Sequence, residues 1–128
     1  MIIRKLAKIK ELPAGHEDKK SPGCLKKIIF DVNDFPKGLS PQMINWARIP
    51  KGRSFKLHYH QDMTEIFIIL KGQAKMRLNN KHFQLKEGDA VMVPAKSPHS
   101  VRNDGHSDFI YYVVGLSSKK GGKTITLE

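Results

Sequence analysis

Apolar runs in this chain are short, and turn-forming residues break them throughout. The longest in the central part, Glu65–Leu70 and Phe109–Leu116, end at Lys71-Gly72 and at Ser117. Short apolar segments punctuated by Gly, Pro, Asn and Asp are the mark of strands rather than helices. The chain is therefore expected to be all-β. Strands are placed at Ile2–Ile9, Cys24–Phe30, Met43–Ile49, Phe55–Tyr59, Glu65–Leu70, Ala74–Leu78, Lys81–Leu85, Ala90–Val93, His99–Arg102, Phe109–Leu116 and Lys123–Leu127. Asn79-Asn80 suits a two-residue hairpin turn, because Asn tolerates the positive φ of a type I′ turn. Asn103-Asp104-Gly105 reads as another tight turn. Many short strands joined by hairpins suit a double-sheet jelly roll.

Four potential metal ligands fall within these strands. His58 and His60 lie two apart, so both imidazoles face one side of a strand while Leu57 and Tyr59 face the other. Their Cα atoms should lie about 6.5–7 Å apart, close enough for two ring tips to share an ion. Gln61-Asp62-Met63 reads as a turn. Glu65 then opens a strand on which Glu65, Phe67 and Ile69 share a face. His99 follows a corner between Pro94 and Pro98 and can complete the set from across a sheet. A lone histidine or glutamate on a strand is usually structural. An inward histidine pair, a carboxylate and a distant histidine, all in glycine-bounded β-segments, instead form a plausible shell for a divalent transition metal.

The two stretches that carry these residues resemble the paired signature of the cupin superfamily, G-x5-H-x-H-x4-E-x6-G followed by G-x5-P-x-G-x2-H-x3-N. Gly52, His58, His60, Glu65 and Gly72 match the first motif in full. Gly88, Pro94, His99 and Asn103 match the second, with Lys96 where the pattern has glycine. A lysine there either holds a left-handed conformation at about 1–2 kcal/mol or forces another turn shape. The resemblance implies one cupin domain over residues 1–128, with motifs at 52–72 and 88–103 and N-terminal strands and loops over 1–41. It implies a double-stranded β-helix barrel, open at one end, with the metal inside. It also implies His58, His60, Glu65 and His99 as ligands, and a homodimer.

Four protein ligands on an octahedral ion leave two positions open for water, substrate or dioxygen. Fe, Mn, Ni and Zn all suit such a set. Strand parity suggests Asn45, Ala47, Phe67, Ile69 and Val101 as candidates for the pocket wall, and Arg77 and Tyr111 are polar or aromatic candidates on strands whose facing the sequence does not fix. One of the adjacent Tyr111 and Tyr112 must face outward. The wall is then mainly apolar, with no catalytic acid–base residue assigned. It favours substrate binding through the metal over proton abstraction by a side-chain pair.

The formal net charge is +11, from 23 Lys and Arg against 12 Asp and Glu. Such a field favours anionic ligands. No helix-turn-helix or aromatic-studded RNA motif accompanies it, so a small-molecule partner is expected rather than nucleic acid. No apolar run approaches the length needed to span a membrane, and no secretory leader is recognised, so a cytoplasmic protein is expected. Cys24 is the only cysteine and reads as a small buried residue at a strand start. Pro13 to Gly23 reads as a mobile, solvated loop in which His16, Glu17 and Asp18 do not converge. Asp31 to Pro41 is irregular, and Ser117 to Lys123 is a basic linker.

The expected function is a metal-dependent enzyme, dioxygenase-like, acting on a small anionic organic molecule. A non-catalytic ligand-binding or sensor module uses the same barrel and ligands. A sugar-phosphate isomerase or epimerase is a third reading, weakened because the epimerase type relies on a His/acid pair. A two-domain decarboxylase needs a second barrel, which only a dimer would supply here.

Overall fold

The computed structural model describes residues 1–118 and 123–128. Among these described residues, eleven strands form two antiparallel sheets. The first sheet contains β1 (Leu12–Pro13), β2 (Leu25–Asp31), β3 (Pro41–Ile49), β10 (Phe109–Leu116), β5 (Thr64–Lys71) and β8 (Ala90–Val93), in that order. The second contains β11 (Thr124–Thr126), β4 (His58–His60), β9 (His99–Arg102), β6 (Gln73–Leu78) and β7 (Lys81–Lys86), again in order. The all-β expectation holds, and the architecture is a jelly-roll barrel.

Alternation along each strand builds the core. In β10 every second residue from Phe109 to Gly115 is buried, and in β3 Asn45, Ala47 and Ile49 are. Inward residues of the first sheet line up in rows across three strands: Met43–Gly115–Glu65, Asn45–Val113–Phe67 and Ala47–Tyr111–Ile69. Ala74, Met76, Leu85 and Val101 of the second sheet are also fully buried and, with Ile49, Ile69 and Phe109, belong to one contiguous core. The polar row that begins at Glu65 lies two rows from Ile69, toward the other end of the barrel.

Two glycines are fixed by space. Gly72 has φ +85, and a Cβ there would lie 2.6 Å from Asp108 O. A side chain at Gly115 would run into Met63 Sδ and would lie 3.0 Å from Met43 Cγ. Its absence lets two methionines pack beside Glu65.

Lys96 adopts φ +67. The corner thus keeps the left-handed shape the pattern's glycine would have, and its amide donates to His60 O at 2.7 Å. The second motif's turn is tied directly to the first motif's strand that carries His58 and His60. Asn79 has φ +54 but Asn80 does not share a positive φ, so the β6–β7 hairpin departs from the expected type I′ turn.

Three local expectations need correction. Ile2–Ile9 is not a strand: it holds a short 3-10 turn at Leu6–Lys8. The segment is tied down by side chains rather than by a ladder, with Arg4 donating to Ile29 O and Lys27 Nζ to Leu6 O. The strand at Phe55–Tyr59 is shifted to His58–His60. The amides of Lys56 and Leu57 donate to the side chains of Glu17 and Glu128, so they are spent before any sheet can use them. The loop expected to be solvated at Pro13–Gly23 packs on the barrel through Glu17, whose side chain is 2% exposed. Of the Ser117–Lys123 linker, residues 119–122 lie outside the described residues.

Candidate metal centre

His58 and His60 enter the barrel from β4, Glu65 from the start of β5, and His99 from the start of β9. All four are buried, and one candidate ligand atom from each lies within 4.8 Å of the others. His58 and His99 face one another directly in the β4–β9 pairing, with ring centroids 4.5 Å apart. Glu65 Oε1 lies 3.0 Å from His60 Nε2 and 3.2 Å from His99 Nε2.

The outer ring nitrogens are already engaged. His58 Nδ1 lies 2.6 Å from Lys56 O, and His99 Nδ1 lies 2.9 Å from Ser97 O. A carbonyl only accepts, so each Nδ1 must carry the proton. A neutral imidazole has a single N–H, which leaves Nε2 of both rings as a lone pair turned toward the cluster. His60 Nδ1 pairs with Thr124 Oγ1 at 3.0 Å, and its Nε2 has no hydrogen-bond partner. These are the outer-shell contacts that fix ring orientation in metal sites.

Electrostatics agree with this arrangement. Burial, then the neighbouring His16 and His99, push His58 down to about 3, so its ring is neutral near pH 7. Burial pushes the Glu65 carboxyl up, but the adjacent His60 and His99 rings outweigh it and hold the group below the ordinary carboxylate range. Lone pairs and an ionised carboxylate converging in a buried space repel one another unless a cation sits between them. The donor set fits a divalent transition ion.

A cavity of about 540 Å³ opens from this cluster. Asn45, Ala47, Phe67 and Tyr111 line it. Tyr111, not Tyr112, faces the barrel, and its hydroxyl lies 3.4 Å from Cys24 Sγ. Burial pushes the Cys24 thiol up to about 12, so it is an unreactive wall residue. Ile69 and Val101 face inward but lie in the packed core rather than on the cavity wall. Arg77 is corrected: Ala74 and Met76 take the inward positions of β6, and Arg77 Nε donates to Asn79 O at the surface.

Some wall residues were not foreseen. Met43, Met63, Lys26 and Thr124 also line the cavity. The largest departure is His16, expected in solvent. Its ring packs at a tilt against His58 with centroids 3.9 Å apart, and it lines the cavity. Burial lowers its pKa below the ordinary histidine value. Asp18 stays outside the cluster, accepting from Lys20 N. No local pattern announces His16, because its neighbour in space is more than forty residues away in sequence.

A family model described as the cupin domain matches residues 45–115. An uncharacterized protein of Methanocaldococcus jannaschii is 38% identical over 65 residues, covering 51% of this chain and 52% of its own. Quercetin 2,3-dioxygenase of Bacillus subtilis is 44% identical over 57 residues, 44% of this chain and 17% of its own. The oxalate-binding protein of Thermotoga maritima is 33% identical over 67 residues, 52% of this chain and 55% of its own. This chain thus spans about half or less of the length of these relatives. Among solved structures, a predicted oxalate decarboxylase from Thermotoga maritima superposes with TM-score 0.78 at 22% identity, covering 91% of this chain and 99% of its own. A polyketide cyclase from Streptomyces resistomycificus gives 0.79 at 15% identity, over 100% and 86%. At these identities the structural likeness speaks to the fold alone.

Proposed function

This chain belongs to the cupin domain family, and from that premise we propose that it is a metal-dependent enzyme of dioxygenase type acting on a small anionic organic molecule. The observation that carries the reading is the buried His58, His60, Glu65 and His99 cluster, with Nε2 lone pairs and a carboxylate converging on one point beside a cavity.

In this reading the three imidazoles and Glu65 hold the ion. Iron, manganese, nickel and zinc all suit the donor set. The ion would supply Lewis acidity to a chelating substrate and, if redox-active, an electron path to dioxygen. The rest is done by the chain. Lys56 O, Ser97 O and Thr124 Oγ1 keep the rings aimed inward. Phe55 and Phe67 pack edge-on to His99, at 5.8 and 6.1 Å between centroids, and keep water from its sides. Met43, Met63 and Val113 make the wall apolar, so a substrate's organic body replaces water there. Lys26 places a cation on the same wall.

A second reading, a binding module without turnover, draws support from the oxalate-binding relative. The two part on one experiment. Protein purified without chelators or a histidine tag is analysed for bound metal, then screened for oxygen uptake with diols, thiols and enolisable acids. Near-stoichiometric iron with substrate-dependent uptake supports the enzyme. Bound metal with ligand-induced stabilisation and no product supports the binder. No metal after anaerobic reconstitution overturns the metal site and the enzyme with it, and leaves a metal-free binding module. A cytoplasmic setting, a small-molecule partner and a homodimer belong to the same proposal.

A further inference from the structure

We propose that His16, carried by the loop between β1 and β2, hydrogen-bonds an oxygen of an anionic small molecule held at the metal centre, and that Glu17 positions it. This rests on the metal-dependent reading above.

Three buried side-chain atoms lack a hydrogen-bond partner among the described residues: His16 Nε2, Asn45 Oδ1 and His60 Nε2. All three belong to residues that line the one cavity. Buried polar atoms without partners are rare because each is costly, so three around one space need a cause. The ion accounts for His60. Asn45 Nδ2 reaches only Met43 Sδ, a weak acceptor, at 3.1 Å. His16 is the remaining strong group, packed against a residue whose own Nε2 faces the centre.

The loop is built to put it there. Glu17 Oε1 accepts from Gly23 N at 2.7 Å and Oε2 from Lys56 N at 3.0 Å, which ties both the return of the loop and the approach to β4 to one buried carboxylate. A side chain at Gly23 would run into Ser54 O, so the loop lies flat on the barrel only because that residue is glycine. Glu17 Oε2 also lies 3.4 Å from His16 Nε2, too poorly aligned for a hydrogen bond but close enough to favour the tautomer with the proton on Nε2. His16 is thereby a donor. Its natural partner is an oxyanion, which the cation of Lys26 on the same wall and the net charge of +11 also favour.

The test uses the full chain loaded with Co(II), whose visible bands report both coordination and added ligand, with acetate as the probe. Wild type should bind one Co(II) and respond to acetate. His16→Phe should keep the Co(II) stoichiometry and the acetate-free spectrum, while its acetate Kd rises about tenfold or more, as for loss of a hydrogen bond to a charged group. His16→Gln, which keeps an N–H near the reach of Nε2, should retain most of the affinity. Glu17→Gln should fall between and expose Lys19-Lys20 to trypsin. If His16→Phe does not fold, His16→Leu is read in the same way. An unchanged acetate Kd in the apolar variant overturns the role of His16 alone. Loss of Co(II), or an altered spectrum before acetate, overturns it in favour of direct ligation by His16. A wild type that takes up no Co(II) overturns the metal reading beneath it.

Discussion

At the scale of single residues, the centre is defined by which nitrogen holds the proton. Backbone carbonyls accept hydrogen bonds from the Nδ1–H of His58 and of His99, and burial keeps His58 neutral with its pKa down near 3 from an ordinary 6.5. A histidine depressed in the folded state binds fewer protons there than in the unfolded chain. Its stabilising share is therefore full above about pH 6.5 and is lost as the pH falls toward 3. Glu65, also depressed, acts in the same direction at lower pH. The metal-free protein should lose thermal stability steadily below pH 6.5, seen as a falling Tm by differential scanning calorimetry. A flat Tm from pH 7 to 4 would contradict a buried His58 held neutral. His99→Ala should lose most bound metal by elemental analysis; full retention would remove His99 from the ligand set. Lys96 holds a left-handed φ of +67 that glycine adopts freely. Lys96→Gly should therefore gain about 0.5–1 kcal/mol in urea denaturation, the relief of strain being partly offset by the freer unfolded chain.

At the scale of elements, β11 has only three residues but supplies Thr124 to His60 and pairs along β4. Thr124→Val keeps the side-chain shape and the ladder while removing the oxygen on His60 Nδ1. It should weaken metal binding by about 10–100-fold in a competition titration, with little change in fold by circular dichroism. The four candidate ligand positions were legible in the sequence because strand parity and glycine-bounded turns fix them within short spans. His58 and His60 need only a period of two, and Glu65 needs only the turn before it. What was not legible depends on distant partners. His16 reaches the centre because Glu17 binds amides at Gly23 and Lys56, a contact without a local signature. Ile2–Ile9 alternates like a strand but has no ladder partner, so it bends into a turn. Arg77 was misplaced because Ala74 and Met76 set the parity of β6, and a basic residue on the other parity turns to solvent.

At the scale of the whole molecule, the outer face of the first sheet is unusual for a chain of net charge +11. Two rows run across four strands there, Ile44–Val114–Ile66–Met92 and Trp46–Tyr112–Ile68–Ala90, and none of the eight residues is charged. Lys27 covers the Trp46 end, its Nζ 5.3 Å from the indole centroid. The other end is open, with Ile68 41% and Met92 61% exposed. Two copies of a strongly basic chain repel one another over most orientations. A two-fold contact through these rows buries apolar surface where like charges are absent, and a symmetric dimer uses the same patch twice. The homodimer proposed above should therefore form through β5 and β8. Light scattering at micromolar concentration should give the mass of two chains for wild type. Ile68→Lys with Met92→Lys should give one, with bound metal unchanged because both residues point away from the centre. A wild-type monomer would remove the dimer, and a dimer that survives the double substitution would move the contact to another face.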